Sequence, residues 1–268
     1  MKSILTLILS TIIILKATAE IDCEKIKDQL AYAIAPTTTQ NSLNELATIP
    51  HRLIILGERH YSHYFWKLPH IYKFLKSINS NINCLYSEIS ADATDEQIKQ
   101  VIAGKTNAVF FSKQRLGFGP LYESILSQGD NLVFVDEHID NFEPRENESD
   151  TDWLFRRDTK MLNRITESFK NNECTGGIYN IGNAHIHNFD VAYNSFGARI
   201  KKQIPDSIVI EQAYTLVGTT ECELEIPSFL VSAKDQAARK YFGLDDSGST
   251  ADYILYLRTI DTMFALLP

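Results

Sequence analysis

Unbroken apolar runs that each close on a polar or charged group alternate along this chain with stretches spaced for helix. "HRLIILGE" (51–58) is the first such run, and "NCLYSEIS", "NLVFVDEH", "GGIYNIGNAHIHNF" and "DSIVIEQAYT" repeat the form. Continuous apolar runs of this length predict strands covered on both faces, as in a parallel sheet. The stretches between them predict helices. These are "CEKIKDQLAYAIA", "YFWKLPHIYKFLKSI" with Pro69 as a kink or true start, "ATDEQIKQVIAG", "GPLYESILSQGD", "DWLFRRDTKMLNRITESFKNNE" and "VAYNSFGARIKKQI". "PTTTQNS" and "DNFEPRENESDTD" read as polar loops, and the alternating "DYILYLRTID" as a strand at a sheet edge. The expected fold is α/β, a mostly parallel central sheet with helices on both faces. With no internal repeat and no linker, residues 20–268 read as a single α/β domain.

In such sheets the site lies beyond the carboxyl ends of the strands. The first predicted strand ends in Gly57 and Glu58, followed by Arg59, His60 and His63. The second ends in Glu88, the third in Asp136, Glu137 and His138, the fourth in Gly182, Asn183, His185 and His187. A single polar group after a strand is ordinary loop chemistry. Recurrence at one structural point is different: five of the seven histidines fall in this set, leaving only His51 and His70 outside it. In the long predicted helix, Arg157 and Asp158 read either as a solvated surface pair or as an arginine turned to the rim. At the rim Arg157 would clamp a carboxylate or hold Glu58 or Glu88 ionised.

The amino terminus adds a compartment. "MKSILTLILSTIIILKATAE" has a lysine, an apolar run from Ile4 to Leu15 and the small residues "ATA". Residues 1–19 are expected to be a signal peptide cleaved after Ala19, placing the protein in a periplasm or outside the cell. Cleavage removes Lys2 and Lys16, moving the formal charge from −8 to −10. No stable membrane span is expected after it, the apolar run being short for one. An acidic chain without a basic patch excludes nucleic acid as a partner. In an exported chain the four cysteines, Cys23, Cys84, Cys174 and Cys222, allow three pairings. Cys174 and Cys222, both near loop signals, are the expected pair, and Cys84 reads as a buried residue in a strand.

"GERH", Glu88, "RDTKM" and "GNAHIHNF", in this order, resemble the motifs of the erythromycin esterase-like, ChaN-like and Tiki/TraB superfamily. The matching positions are Gly57, Glu58 and His60, then Arg157, Asp158 and Met161, then Gly182 and His185. The resemblance spans residues 50 to 260. It implies an α/β fold with a site at the strand ends and leaves the activity open, because its branches hydrolyse a macrolide lactone, bind haem or act as metal-dependent proteases. "ERHYSH" and "NFDVAYNSFGARI" depart from the esterase and ChaN patterns, so no branch's substrate carries over.

The expected activity is hydrolysis of an ester, lactone or peptide, the substrate a small molecule or peptide. His60 is the general base that activates water, Glu58 or Glu88 orients it, and His185 is the acid or oxyanion contact. Arg157 supplies positive charge at the oxyanion. No GxSxG elbow offers a serine nucleophile. Glu58, His60, Glu88 and His185 could instead hold a divalent metal, zinc or manganese, that lowers the pKa of bound water. The alternative from another class is an exported haem-binding protein without turnover, with His60, His63 and Tyr64 near the iron.

Overall fold

The computed structural model describes residues 22–48, 52–58, 68–103, 119–137, 143–188, 194–213, 222, 226–242, 244 and 248–256. Three short helices open this part: α1 (Cys23–Gln29), α2 (Ala31–Ile34) and α3 (Pro36–Thr48). They are followed by β1 (Leu53–Glu58), α4 (Leu68–Ile78), β2 (Cys84–Ser90), α5 (Asp95–Ile102), α6 (Gly119–Ser127) and β3 (Asn131–Asp136). Next are α7 (Asp150–Lys170), β4 (Gly177–Gly182), a 3-10 turn (Asn183–Ile186), α8 (Phe196–Gln203) and β5 (Ser207–Ala213). β6 (Phe229–Ser232), α9 (Gln236–Tyr241) and β7 (Tyr253–Tyr256) complete it.

The strands form one seven-stranded sheet in the order β3-β2-β4-β1-β5-β7-β6. Every pairing is parallel except that of β6 with β7. Side chains alternate across it. On one face Ile54, Leu56, Leu85, Ile178 and Ile210 pack under α3, α4 and α6. On the other Ile55, Tyr86, Tyr179 and Val209 pack under Met161 and Ile165 of α7 and Ile200 of α8. β1, β2, β4 and β5 are buried along their whole length, which is why their sequences run apolar without alternation.

Three expectations need correction. "PTTTQNS" is the start of helix α3, not a loop. Pro36 occupies its first position, where a missing N–H costs nothing, and the buried face is made of Thr38, Thr39, Ser42 and Leu46. A hydroxyl-rich inner face carries no apolar period, and Thr39 Oγ1 instead accepts from Leu230 N–H at 3.2 Å. The strand β7 is interior, between β5 and β6, and the edge is the uncalled β6. The cysteines pair as Cys23–Cys222 and Cys84–Cys174. Cys84 opens β2 and Cys174 lies just before β4, its ladder neighbour, so strand pairing itself brings them together. Among the described residues no helix is long and apolar enough to cross a membrane.

Candidate active site

α7 builds the centre of the site. Its inward stripe runs Arg157, Met161, Ile165 and Phe169, with Asp158 and Leu162 beside it. The stripe has helical spacing, yet its first turn is charged. Arg157 and Asp158 are 1% and 0% exposed, so the surface-pair reading fails. They are buried because the helix runs over the sheet and its amino-terminal third overhangs the strand ends, where charged partners wait.

Arg157 donates from Nε and Nη2 to the two oxygens of Asp136, at 3.1 and 2.5 Å, and Nη2 lies 3.8 Å from Glu88 Oε1. The indole of Trp153 sits 5.3 Å from the guanidinium carbon. Burial lowers the guanidinium pKa, and Asp136 then Glu88 more than reverse this, so the net shift is upward. Its fork is committed to the carboxylate of Asp136, with Glu88 beside it, beneath the rim. Its neighbour Arg156 pairs instead with Glu137 and Glu148, and its hydrogen bond holds the Glu148 carboxyl down at about 2.

The 3-10 turn after β4 carries His185 onto this group. The ring donates from Nδ1 to Asp158 Oδ1 at 2.5 Å and from Nε2 to Glu88 Oε1 at 3.2 Å. The second Glu88 oxygen accepts from Gly182 N–H at 3.3 Å. Burial alone would lower the imidazole pKa. The charge and hydrogen bond of Asp158, then those of Glu88, outweigh it and raise the pKa to about 9. His185 is therefore an imidazolium at neutral pH, a proton donor rather than a resting base. Below it the Tyr179 hydroxyl donates to Met161 Sδ at 2.7 Å, and burial beside Glu88 and Asp136 keeps it protonated.

Gly57 explains how the turn seats. A β-carbon there would lie 2.3 Å from Ile186 Cδ1 and 3.0 Å from Asn183 Oδ1. The turn that bears His185 thus rests directly on the β1 backbone, an approach only glycine permits. Glu58 comes next on β1, but by alternation it shares the face of Ile54 and Leu56, whereas Glu88 shares that of Cys84 and Tyr86. The two carboxylates the sequence treats as interchangeable stand on opposite faces of the sheet.

A second group was missed. Glu211, at the end of β5, is 1% exposed and accepts from His187 Nε2 at 2.9 Å, Asn183 Nδ2 at 3.3 Å and Ser249 Oγ at 2.6 Å. Its signal was available: the fifth apolar run also closes on a carboxylate. Ser249 had none. Asp136, read only as a rim residue, is the main partner of Arg157. His60, His63, Tyr64, Arg59 and His138 lie outside the described residues. Among the described residues no group of three or more histidine, cysteine or acidic side chains is disposed to hold a metal ion.

Fold and site define an α/β protein with a buried charge network across the carboxyl ends of its parallel strands. No family model and no curated protein matches the chain. Among solved structures it is similar to a Bacillus cereus protein, with TM-score 0.56 and 13% identity over 88% of this chain and 97% of that one. That likeness shows the fold. The type III effector HopBA1 aligns with TM-score 0.47 and 11% identity, over 80% of this chain and 92% of its own. RRSP, a MARTX toxin effector domain from Vibrio vulnificus, aligns with TM-score 0.44 and 16% identity, over 72% of this chain and 41% of its own.

Proposed function

We propose that this protein is an exported hydrolase of the erythromycin esterase-like, ChaN-like and Tiki superfamily, acting by acid-base chemistry at the strand ends on an ester, lactone or peptide. The observation that carries the reading is the meeting of three motif residues distant in sequence, Glu88, Asp158 and His185, in one hydrogen-bonded group. A histidine kept protonated by two carboxylates is suited to give a proton to a leaving group. In the reaction, water loses a proton to His60 and its oxygen adds to the carbonyl carbon. The carbon–oxygen or carbon–nitrogen bond then breaks as the His185–Glu88 pair protonates the departing atom. Arg157 and Asp136 position that pair. Export is supported by the leader pattern and by the pairing of all four cysteines, the state an oxidising compartment maintains.

The test is turnover of p-nitrophenyl esters and aliphatic lactones by the purified protein, beside His185→Gln and His60→Gln. Loss of about 100-fold or more in kcat, with circular dichroism unchanged, is expected for each. Full activity in both variants would remove the acid-base assignment. Activity lost to a chelator and restored by zinc or manganese would make the step metal-assisted. A Soret band on adding haem, lost in His60→Gln, would favour the haem-binding alternative.

A further inference from the structure

The sheet ends on one side at β3, and among the described residues no strand lies beyond it. Asn131 is exposed, and Leu132, Val133 and Phe134 are half-buried. Asn131 N–H donates to Asn83 C=O, just before β2, at 2.9 Å. Cys84 to Ser87 then pair in unbroken register with Asn131 to Phe134. Backbone groups alternate in direction along a strand, so the N–H and C=O of Leu132 and Phe134 turn away from β2. On that side they meet no partner among the described residues. Native edges are commonly blunted by a lysine, a proline or an inward charge. The segment "NLVFV" has none of these.

The flanks of this edge are self-complementary. On one face of the sheet Ile98, Ile102 and Leu126 stand beside Leu132 and Phe134, and Leu126 is 50% exposed. On the other face α7 runs along the edge, opposite to β3 in direction. Lys160 lies beside the end of β3, with Asp136, and Glu173 beside its start, with Asn131; Arg164 and Glu167 lie between them. Lys160 and Glu173 are exposed, and neither forms an ion pair among the described residues. An antiparallel neighbour of the same kind, related by an axis normal to the sheet, sets apolar flank against apolar flank and Lys160 against Glu173. A parallel neighbour has its sheet turned over, and would set the charges of α7 against Leu126 and Ile98.

We propose that the exposed β3 edge is a docking surface for a second copy of this chain: two β3 strands pair antiparallel about a twofold axis at Val133 and join two seven-stranded sheets into one. Leu132 then exchanges both of its free backbone hydrogen bonds with Phe134 of the partner subunit, and Phe134 with the partner's Leu132. The two Val133 side chains meet on the α7 face, where Lys160 reaches Glu173 of the partner subunit once on each side of the axis. Such a contact uses the same patch on both copies and closes at two. It satisfies the free edge without touching the charged rim, so it stands apart from the hydrolase reading.

Sedimentation velocity of the purified protein over a dilution series tests the pairing, and a dimer that dissociates on dilution is expected. Leu132→Pro deletes an outward N–H and leaves the ladder with β2 its donors. It should weaken the dimer about tenfold or more, two hydrogen bonds being lost across the axis. Should that change disturb β3, Lys160→Glu and Glu173→Lys alter only exposed side chains, and circular dichroism checks that each variant is folded. Each reversal alone should weaken the dimer about tenfold, and the two together, which restore opposite charges, should bring it back near the wild type. A protein that stays monomeric up to about 100 µM would overturn the proposal and leave the edge to a strand of another protein. A dimer indifferent to these substitutions, or reversals that do not compensate one another, would place the contact elsewhere and overturn it as well.

Discussion

The charges under the rim are deep enough that each single change has a stability cost of its own. Arg157→Met leaves Asp136 buried without the cation that grips both its oxygens, and removal of one partner of a buried pair costs about 3–5 kcal/mol. Urea denaturation should show that loss, with Arg157→Lys intermediate because an ammonium cannot span both oxygens of Asp136. His185 gives a pH dependence. Its pKa is raised to about 9 in the folded state against about 6.5 unfolded. Its contribution is therefore complete below about pH 6.5 and is lost as pH rises through about 9, on the order of 3 kcal/mol in all. Chemical denaturation between pH 6 and pH 10 should show the decline in the wild type and its disappearance in His185→Gln. A wild-type curve flat over that range would mean that the ring is neutral in the folded state. Little of this was legible in the sequence at the residue scale. An Arg-Asp pair near the start of a helix has the same letters whether it faces solvent or a buried carboxylate, and only the assembled neighbours decide.

The elements were far more readable than their contents. Four central strands declared themselves because burial on both faces keeps most of their positions apolar, and their charged residues gather toward the carboxyl ends. The rim was legible for the same reason, down to Glu88 and His185. Helix α3 was not, because Thr38, Thr39 and Ser42 lie on its buried face, Thr39 accepting from Leu230 N–H, and a polar inner face erases the amphipathic signal. The opposed faces of Glu58 and Glu88 follow from the register of one residue within each strand, which apolar runs without alternation do not reveal. The seat of the 3-10 turn on Gly57 yields a prediction at this scale. Gly57→Ala should cost about 1–3 kcal/mol, since its β-carbon meets Ile186. Ile186→Val, which removes the offending Cδ1, should recover part of the loss in a double-mutant comparison of Tm. A loss unchanged by the second substitution would place the conflict elsewhere.

For the whole molecule, the two crosslinks matter most. They span 199 and 90 residues, and closing loops of that size in the unfolded chain corresponds to roughly 5 kcal/mol each in the chain-entropy account. Replacing Cys84 and Cys174 together by alanine should lower the urea midpoint by an amount equivalent to about 3–5 kcal/mol, and added reductant should bring the wild type below that variant. A midpoint indifferent to reductant would mean that the bridges add nothing to the folded state.

The longer crosslink also sorts the strands. Cys23 and Cys222 close a covalent ring that contains β1 to β5, while β6 and β7 lie outside it. Tension applied between residues 22 and 256 would bypass the ring altogether. Held at those two residues, the molecule would give up β6, α9 and β7, and with them the β5–β7 ladder, while β1 to β5 would stay slack until the sulfur–sulfur bond was cut.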